Sequence, residues 1–302
     1  MSGAEPALDA LLRALDERPD AMPCLVGPTA SGKTALALAL ARRTGGEIVG
    51  ADSVQVYRGF DIGSGKPTAE ELANSTHHLI DVAEPDEPID AAAYVALADA
   101  AIAEVRARGR VAIVCGGTFL WVKALLHGLS EAPGADPELR ARHRALVEAE
   151  GPLALHSRLA AVDPVAAARL HPNDLVRTSR ALEVHELSGR RLSELQEAHG
   201  FGERRHPALL LAVSRTPDEL DQRIRARVRT WLEGGFVEEV RSLCARGFHD
   251  ARAMTSVGYR QVRDFLDGAI PEEQLEDAIV RATRTFARRQ RTWLKRAEVS
   301  WI

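Results

Sequence analysis

Short unbroken apolar runs alternate along the chain with longer stretches in which apolar side chains recur every three or four positions. Pro23 to Val26, Glu47 to Ala51, Val111 to Cys115 and Ala208 to Val213 are of the first kind, and each runs into a glycine or a polar residue. Runs this short, without polar alternation, predict strands covered on both faces, hence a parallel sheet between helices. Ala35 to Arg43 alternates Ala and Leu and fits a strand by period alone. Its length beyond a glycine-rich turn and the helix preference of alanine decide for a helix. Arg223 to Arg229 alternates likewise, but Leu220, Ile224, Val228 and Trp231 share one helical face, so a helix is expected there too. Ala7 to Leu15 and residues 91–108 also read as helices, the second ended by Gly109.

Between about residue 130 and 206 the strand pattern stops. Pro137 to Glu150, Pro152 to Ala161, Pro164 to Leu170 and Leu175 to Ser188 are charged and helical in period. The expected fold class is α/β, a parallel-sheet core covered by helices with an inserted all-helical domain. Its parts are residues 1–129 and 207–302 as core and 130–206 as insertion. No internal repeat interrupts this plan.

Composition adds little until its distribution is considered. The 302 residues carry a formal charge of −4, with 45% apolar and 27% charged residues, an ordinary globular make-up. Residues 1–200 hold 20 Lys+Arg against 28 Asp+Glu, whereas residues 201–302 hold 19 against 15. The mild total thus hides a basic C-terminal third, which keeps a nucleic-acid partner open. Cys24, Cys115 and Cys244 lie far apart without metal-ligand spacing, as in a reduced cytoplasmic protein. The opening residues carry no basic segment before an apolar core, so no signal peptide is expected. No run is long enough to span a bilayer.

Gly27-Pro28-Thr29-Ala30-Ser31-Gly32-Lys33-Thr34 matches a P-loop between a strand and a helix. Glycines let backbone amides face an anion, the helix N-terminus adds partial positive charge, Lys33 supplies a cation, and the Thr34 hydroxyl reaches Mg²⁺. The second strand ends at Asp52-Ser53, on the side where open parallel sheets bind ligands. A carboxylate there can hold Mg²⁺, act as a general base or cap the next turn. The glycine-punctuated stretch Gln55 to Pro67 is too long for a simple connector and is expected to be functional.

GPTASGKT, Asp52 to Thr68 (DSVQVYRGFDIGSGKPT), His77 to Asp81, Gly116-Gly117-Thr118, Leu170 to Gly189, Ser256 to Gln261 and Ala282 to Trp293 together resemble the bacterial tRNA dimethylallyltransferases. The likeness runs in order through most of the chain. It implies transfer of a dimethylallyl group from dimethylallyl diphosphate to the exocyclic amine of the adenine just 3′ of the anticodon in tRNA, without ATP hydrolysis. By this resemblance Gly27 to Thr34 would cradle the diphosphate, with Mg²⁺ held indirectly through Thr34. Asp52 would be the general base, Thr118 would sit at the reaction channel, and Arg223 would bind diphosphate. Asp52, Ser53, Val54, Gln55 and Thr118 would lie beside the tRNA. So would Arg140, then Val176, Arg177, Thr178, Ser179 and Arg180, then Thr255, Ser256, Val257, Gly258, Tyr259 and Arg260. A monomer that needs no membrane is expected.

Arg281 to Arg296 holds seven basic residues and no acid. Arg281, Arg284, Arg288, Arg291 and Lys295 step by 3, 4, 3 and 4, one helical stripe. Such a stripe is either a solvated face or a phosphate contact, and the lack of acids favours the latter. Phe286 and Trp293 fall off the stripe and are expected to pack the helix down. Arg177, Arg180, Arg190 and Arg191 would form the second half of a clamp on the anticodon stem. His77-His78 lies on an expected strand, where neighbours face opposite ways, which disfavours a metal site. Gly65, Cys115, Phe119-Leu120-Trp121 and Thr285-Phe286 depart from the usual text of the resembled family, and none removes a charged or nucleophilic group. A small-molecule P-loop kinase, a prenyltransferase acting on free adenine nucleotides and a GTPase-like RNA-binding module are the rival readings. The helical insertion and the basic stripe disfavour the first two, and the missing guanine-reading tetrad disfavours the third.

Overall fold

The computed structural model describes residues 4–295 and 297–302. The chain divides into two compact units, residues 1–126 with 206–302, and residues 127–205.

The first unit is built on six parallel strands in the order β3-β2-β4-β1-β5-β6. In chain order they are β1 (Met22–Val26), β2 (Glu47–Gly50), β3 (His77–His78), β4 (Ala112–Gly116), β5 (Ala208–Ala212) and β6 (Ser300–Trp301). Four coincide with the apolar runs. β3 and β6 are two-residue edge strands too short to show a period. The helices before the second unit are α1 (Ala4–Glu17), α2 (Lys33–Thr44), α3 (Ala69–Asn74), α4 (Ala91–Ala107) and α5 (Phe119–His127). Those after it are named below in chain order.

Strand residues alternate between two cores, as the twofold period of a strand requires. Cys24, Val26, Val49 and Val114 face one cluster, completed by Tyr94, Trp121, Phe236 and Tyr259. Leu25, Ile48, Ile113, Cys115 and Leu211 face the other, which α2 closes with Leu36, Leu38 and Leu40. The Ala/Leu run is therefore a helix. It starts at Gly32 and stops at Gly45, both with positive φ, where a side chain would be strained.

The second unit is all-helical: α6 (Pro137–Glu150), α7 (Pro152–Val162), α8 (Pro164–Arg169), α9 (Leu175–Ser188) and α10 (Leu192–His199). Asp136, Asp163 and Asp174 cap α6, α8 and α9 through their side chains, and Leu155, Leu159, Ala181 and Leu182 form the core. Buried Glu183 binds the Arg140 guanidinium through two bonds of 2.7 and 2.9 Å and also takes the Asp136 amide. Arg180 joins the same carboxylate at 2.5 Å and donates to Pro133 O at 2.6 Å. Hydrogen bonds from these groups outweigh its desolvation and hold Glu183 down to about 2.

The chain then returns through β5 to α11 (Pro217–Glu233), α12 (Phe236–Leu243), α13 (Tyr259–Leu266) and α14 (Glu272–Leu294). A capping box between Thr216 and Glu219 opens α11, with Pro217 in its first turn. Leu220, Ile224 and Val228 are buried, so the helical period was the right one.

Candidate active site

β1, β2 and β4 are neighbours, so their carboxyl ends deliver three loops to one crevice. These are the P-loop, the turn at Asp52, and Gly117-Thr118. They open on a cavity of about 490 Å³ lined by Thr29, Lys33, Thr34, Asp52, Gln55 and Thr118, among others. Its less polar walls include Ile48, Ile80, Ile89, Trp121, Trp231 and Phe286.

Ala30 and Gly32 take positive φ of 63° and 98°, which turns the P-loop back on itself. A Cβ on Gly32 would lie 3.5 Å from the Arg223 guanidinium and 3.8 Å from that of Arg215. Two cations thus stand beside the N-terminus of α2, where backbone amides lack helical partners. Arg223 Nε donates to Ala30 O at 2.7 Å. Burial draws the Lys33 ammonium below its ordinary range, while Cys115 and Asp52 oppose the shift. Burial in turn pushes the Cys115 thiol up to about 11.

Asp52 Oδ1 accepts the amides of Val54 at 2.9 Å and Gln55 at 3.3 Å. Among the described residues no donor reaches Oδ2. The carboxylate caps its turn, one of the three expected roles, and also lines the cavity. Thr118 Oγ1 takes the Ser53 amide at 2.9 Å, and the Thr118 amide donates to Ala51 O at 3.0 Å. Gln55 Nε2 donates to Ser64 O and Gly65 O at 3.1 and 3.0 Å, folding the long loop over the site.

That loop is anchored twice from behind. The Glu239 carboxylate on α12 accepts the successive amides of Asp61, Ile62 and Gly63, at 2.7 Å for Ile62, and the Tyr259 hydroxyl at 2.6 Å. Burial raises Glu239 above its ordinary value, offset by these hydrogen bonds. Lys66, with its side chain 7% exposed, ties Asp61 and Asp81 at 2.6 Å each and Tyr57 O at 2.7 Å.

Several expected contacts are corrected here. Tyr259 borders the cavity but is fully buried, and Gly258 is buried, so neither offers an outer surface to tRNA. Thr255, Ser256 and Val257 line the cavity, and exposed Arg260 lies 3.8 Å from Asp264. Thr178 is also fully buried, inside the second unit. Arg140 and Arg180 there hold Glu183, and Ser179 Oγ lies 2.9 Å from His143 Nδ1. Val176 and Arg177 are exposed. Phe286 and Trp293 do not pack α14 down. They are 40% and 49% exposed, and Phe286 lines the cavity. The stripe is not free of acids either, because α11 brings Asp221 to Arg284. Sequence distance hid that pairing. Arg281 and Arg288 are exposed and have no acidic partner among the described residues, while Arg296 lies outside them. His77 bonds Ser75 O and His78 bonds Glu47, at 2.8 and 2.7 Å. Among the described residues no group of three His, Cys, Asp or Glu is placed to hold a metal.

Three cavity residues escaped the sequence reading. Arg227 follows Arg223 by one helical turn, lies over the Trp231 ring at 4.7 Å and loses basicity through burial against the pull of Asp52. Its position at i+4 from Arg223 was the available signal. Arg252 carried none, and Gln290 stood in the matched stretch Ala282 to Trp293 without a role assigned to it. Gly65, Cys115, Leu120, Trp121 and Phe286 all line the cavity, so five of the departures from the resembled family gather on one surface.

Known proteins resemble this chain in sequence and in fold. A chain named tRNA dimethylallyltransferase from Sorangium cellulosum is 65% identical over 92% of this chain and 88% of its own. The crystal structure of the tRNA isopentenylpyrophosphate transferase of Bacillus halodurans superposes with a TM-score of 0.69 at 37% identity, covering 94% of this chain and 89% of that one. A eukaryotic dimethylallyltransferase captured acting on tRNA gives a TM-score of 0.76 at 26% identity, over 91% and 70%. With the family's sequence profile matched from residue 55 to residue 297 as well, this chain belongs to the IPP transferase family.

Proposed function

We infer that this chain transfers a dimethylallyl group from dimethylallyl diphosphate to the exocyclic amine of the adenine 3′-adjacent to the anticodon in tRNA, releasing diphosphate. One observation carries the reading: the phosphate cradle, the Asp52 carboxylate and the Thr118 hydroxyl open on a single cavity. An exocyclic adenine amine is a weak nucleophile because its lone pair is spread into the ring. The allylic carbon becomes electrophilic as its bond to the diphosphate oxygen breaks, and the amine nitrogen then forms the new bond. The site must neutralise the leaving diphosphate and accept the amine proton. Lys33, Arg223 and the P-loop amides serve the first need and Asp52 Oδ2 the second. The apolar walls keep water from the allylic carbon.

Mg²⁺ fits the residues present. Thr34 offers its hydroxyl at the cavity, and diphosphate oxygens and waters would complete the octahedral shell that this ion prefers. When bound, it would add positive charge beside the leaving group. Exposed Arg281 and Arg288 would engage tRNA phosphates, and the target base, held in a loop, must unstack to enter. No described helix is long and apolar enough to cross a membrane.

Labelled dimethylallyl diphosphate with Mg²⁺ tests the reading against three acceptors: tRNA, tRNA lacking that adenine, and AMP. Label is expected in the first alone. Label in none rejects the reading, and label in AMP alone transfers it to free nucleotides.

A further inference from the structure

α14 does more than display arginines. Gln290 is buried in the body of the first unit, and its carboxamide joins two loops that no other side chain among the described residues connects. Oε1 accepts the Thr29 amide of the P-loop at 2.8 Å, and Nε2 donates to Gly117 O at 2.9 Å. One partner can only donate and the other only accept, so the orientation of the carboxamide is fixed by chemistry. Gly117 is shaped for this approach. A Cβ there would lie 2.7 Å from Gln290 Nε2 and 3.7 Å from Lys33 Nζ.

The two joined loops have different tasks in the reaction. Thr29 lies in the segment that would hold diphosphate. Gly117 precedes Thr118, whose hydroxyl takes the Ser53 amide beside Asp52. Hydrogen bonds and the Gly117–Thr118 peptide link therefore connect the cradle through Gln290 to the turn that carries the carboxylate.

We propose that Gln290 is a positioning residue that sets the spacing between the donor cradle and the acceptor-side loop, an inference resting on the transferase reading above. Displacement of about 1 Å between reacting groups costs on the order of a hundredfold in rate. A strut between the loops that hold them is therefore felt in turnover and in donor binding, and not in the docking of tRNA on exposed arginines.

Gln290→Met keeps an unbranched chain of similar length and removes both bonds. Its KM for dimethylallyl diphosphate is expected to rise about tenfold and its kcat to fall tenfold to a hundredfold, with the KM for tRNA within twofold of the parent. Arg288→Ala on the same helix is expected to show the opposite pattern, a raised tRNA KM with the donor KM unchanged. Calorimetric binding of inorganic diphosphate reads the cradle without turnover. It should weaken in Gln290→Met even if the parent transfers no label, which separates failure of the transferase reading from failure of this one. If Gln290→Met does not fold, Gly117→Ala detaches the same carboxamide from the other side and should reproduce the donor-selective loss. Parent-like constants in the folded variant, or a tRNA KM that rises in step with the donor KM, overturn the proposal.

Discussion

Replacing Asp52 by Asn and by Ala separates the capping role that the structure shows from the catalytic role proposed for the same carboxylate. Oδ1 holds two backbone amides, at 2.9 and 3.3 Å. Loss of such a cap costs about 1 kcal/mol. Even expressed wholly in the rate, that is roughly a fivefold effect. Removing a general base costs about a hundredfold to ten-thousandfold, so the two roles do not overlap in size. Asn retains an acceptor oxygen in the place of Oδ1 and removes the base. Asp52→Asn should therefore unfold with the parent yet lose at least about a hundredfold in single-turnover transfer at saturating tRNA. Asp52→Ala should lose as much and also melt about 2 °C lower. One other route to lost activity needs control. Asp52 supports the charge of the buried Lys33 ammonium, so its removal lowers the Lys33 pKa further. A loss caused by neutral Lys33 recovers as the pH is lowered, whereas loss of the base does not. An Asp52→Asn enzyme within fivefold of the parent across pH 6–8 would refute the catalytic assignment and leave Asp52 as a cap.

Glu239→Ala strips one hydroxyl and three successive amides of their acceptor; we expect a loss of about 3 kcal/mol in urea unfolding, and a loss below 1 kcal/mol would deny the anchor. Glu47 is buried between Arg108, Arg110 and His78, and hydrogen bonding to Arg108 above all holds it at about 2. A folded pKa below the unfolded value contributes stability that is present above about 4.5 and is lost as the pH falls through about 2. Because both arginines are half exposed, the contribution is at most about 3 kcal/mol, and Glu47→Gln should flatten the stability curve between pH 5 and 2. Removing Arg281 and Arg288 together should lower the salt dependence of tRNA binding by about two counterions, and removing Arg284, already paired with Asp221, should lower it less. Equal tRNA affinity of the parent in dilute and concentrated salt would deny a phosphate contact by α14.

Local chemistry was legible where a short stretch contained its own explanation. The four central strands, the helical identity of Ala35 to Arg43 and of Arg223 to Arg229, and the P-loop all rest on neighbours within a few turns of the chain. Proximity of Asp52 to the P-loop could be anticipated because parallel strands end on a common edge. The sequence by itself therefore determined the fold class, the crevice and the loops that border it. Tertiary structure alone decided which charges are free. Arg140 on α6 read as a tRNA contact until packing brought Glu183 of α9 to it, whereas the Arg180–Glu183 pair lies within α9 at a spacing of three that the sequence already contained. Arg284 read as part of an open stripe until α11 brought Asp221, and Tyr259 stood in a promising motif that packing turned inward. Glu239 and Gln290 lack any periodic or compositional mark, and the partners that give Gln290 its role lie 173 and 261 residues away. Hydrogen bonding and ion pairing depend on distances of a few ångströms. A linear pattern carries such distances within one helix or strand, and only packing creates them between elements.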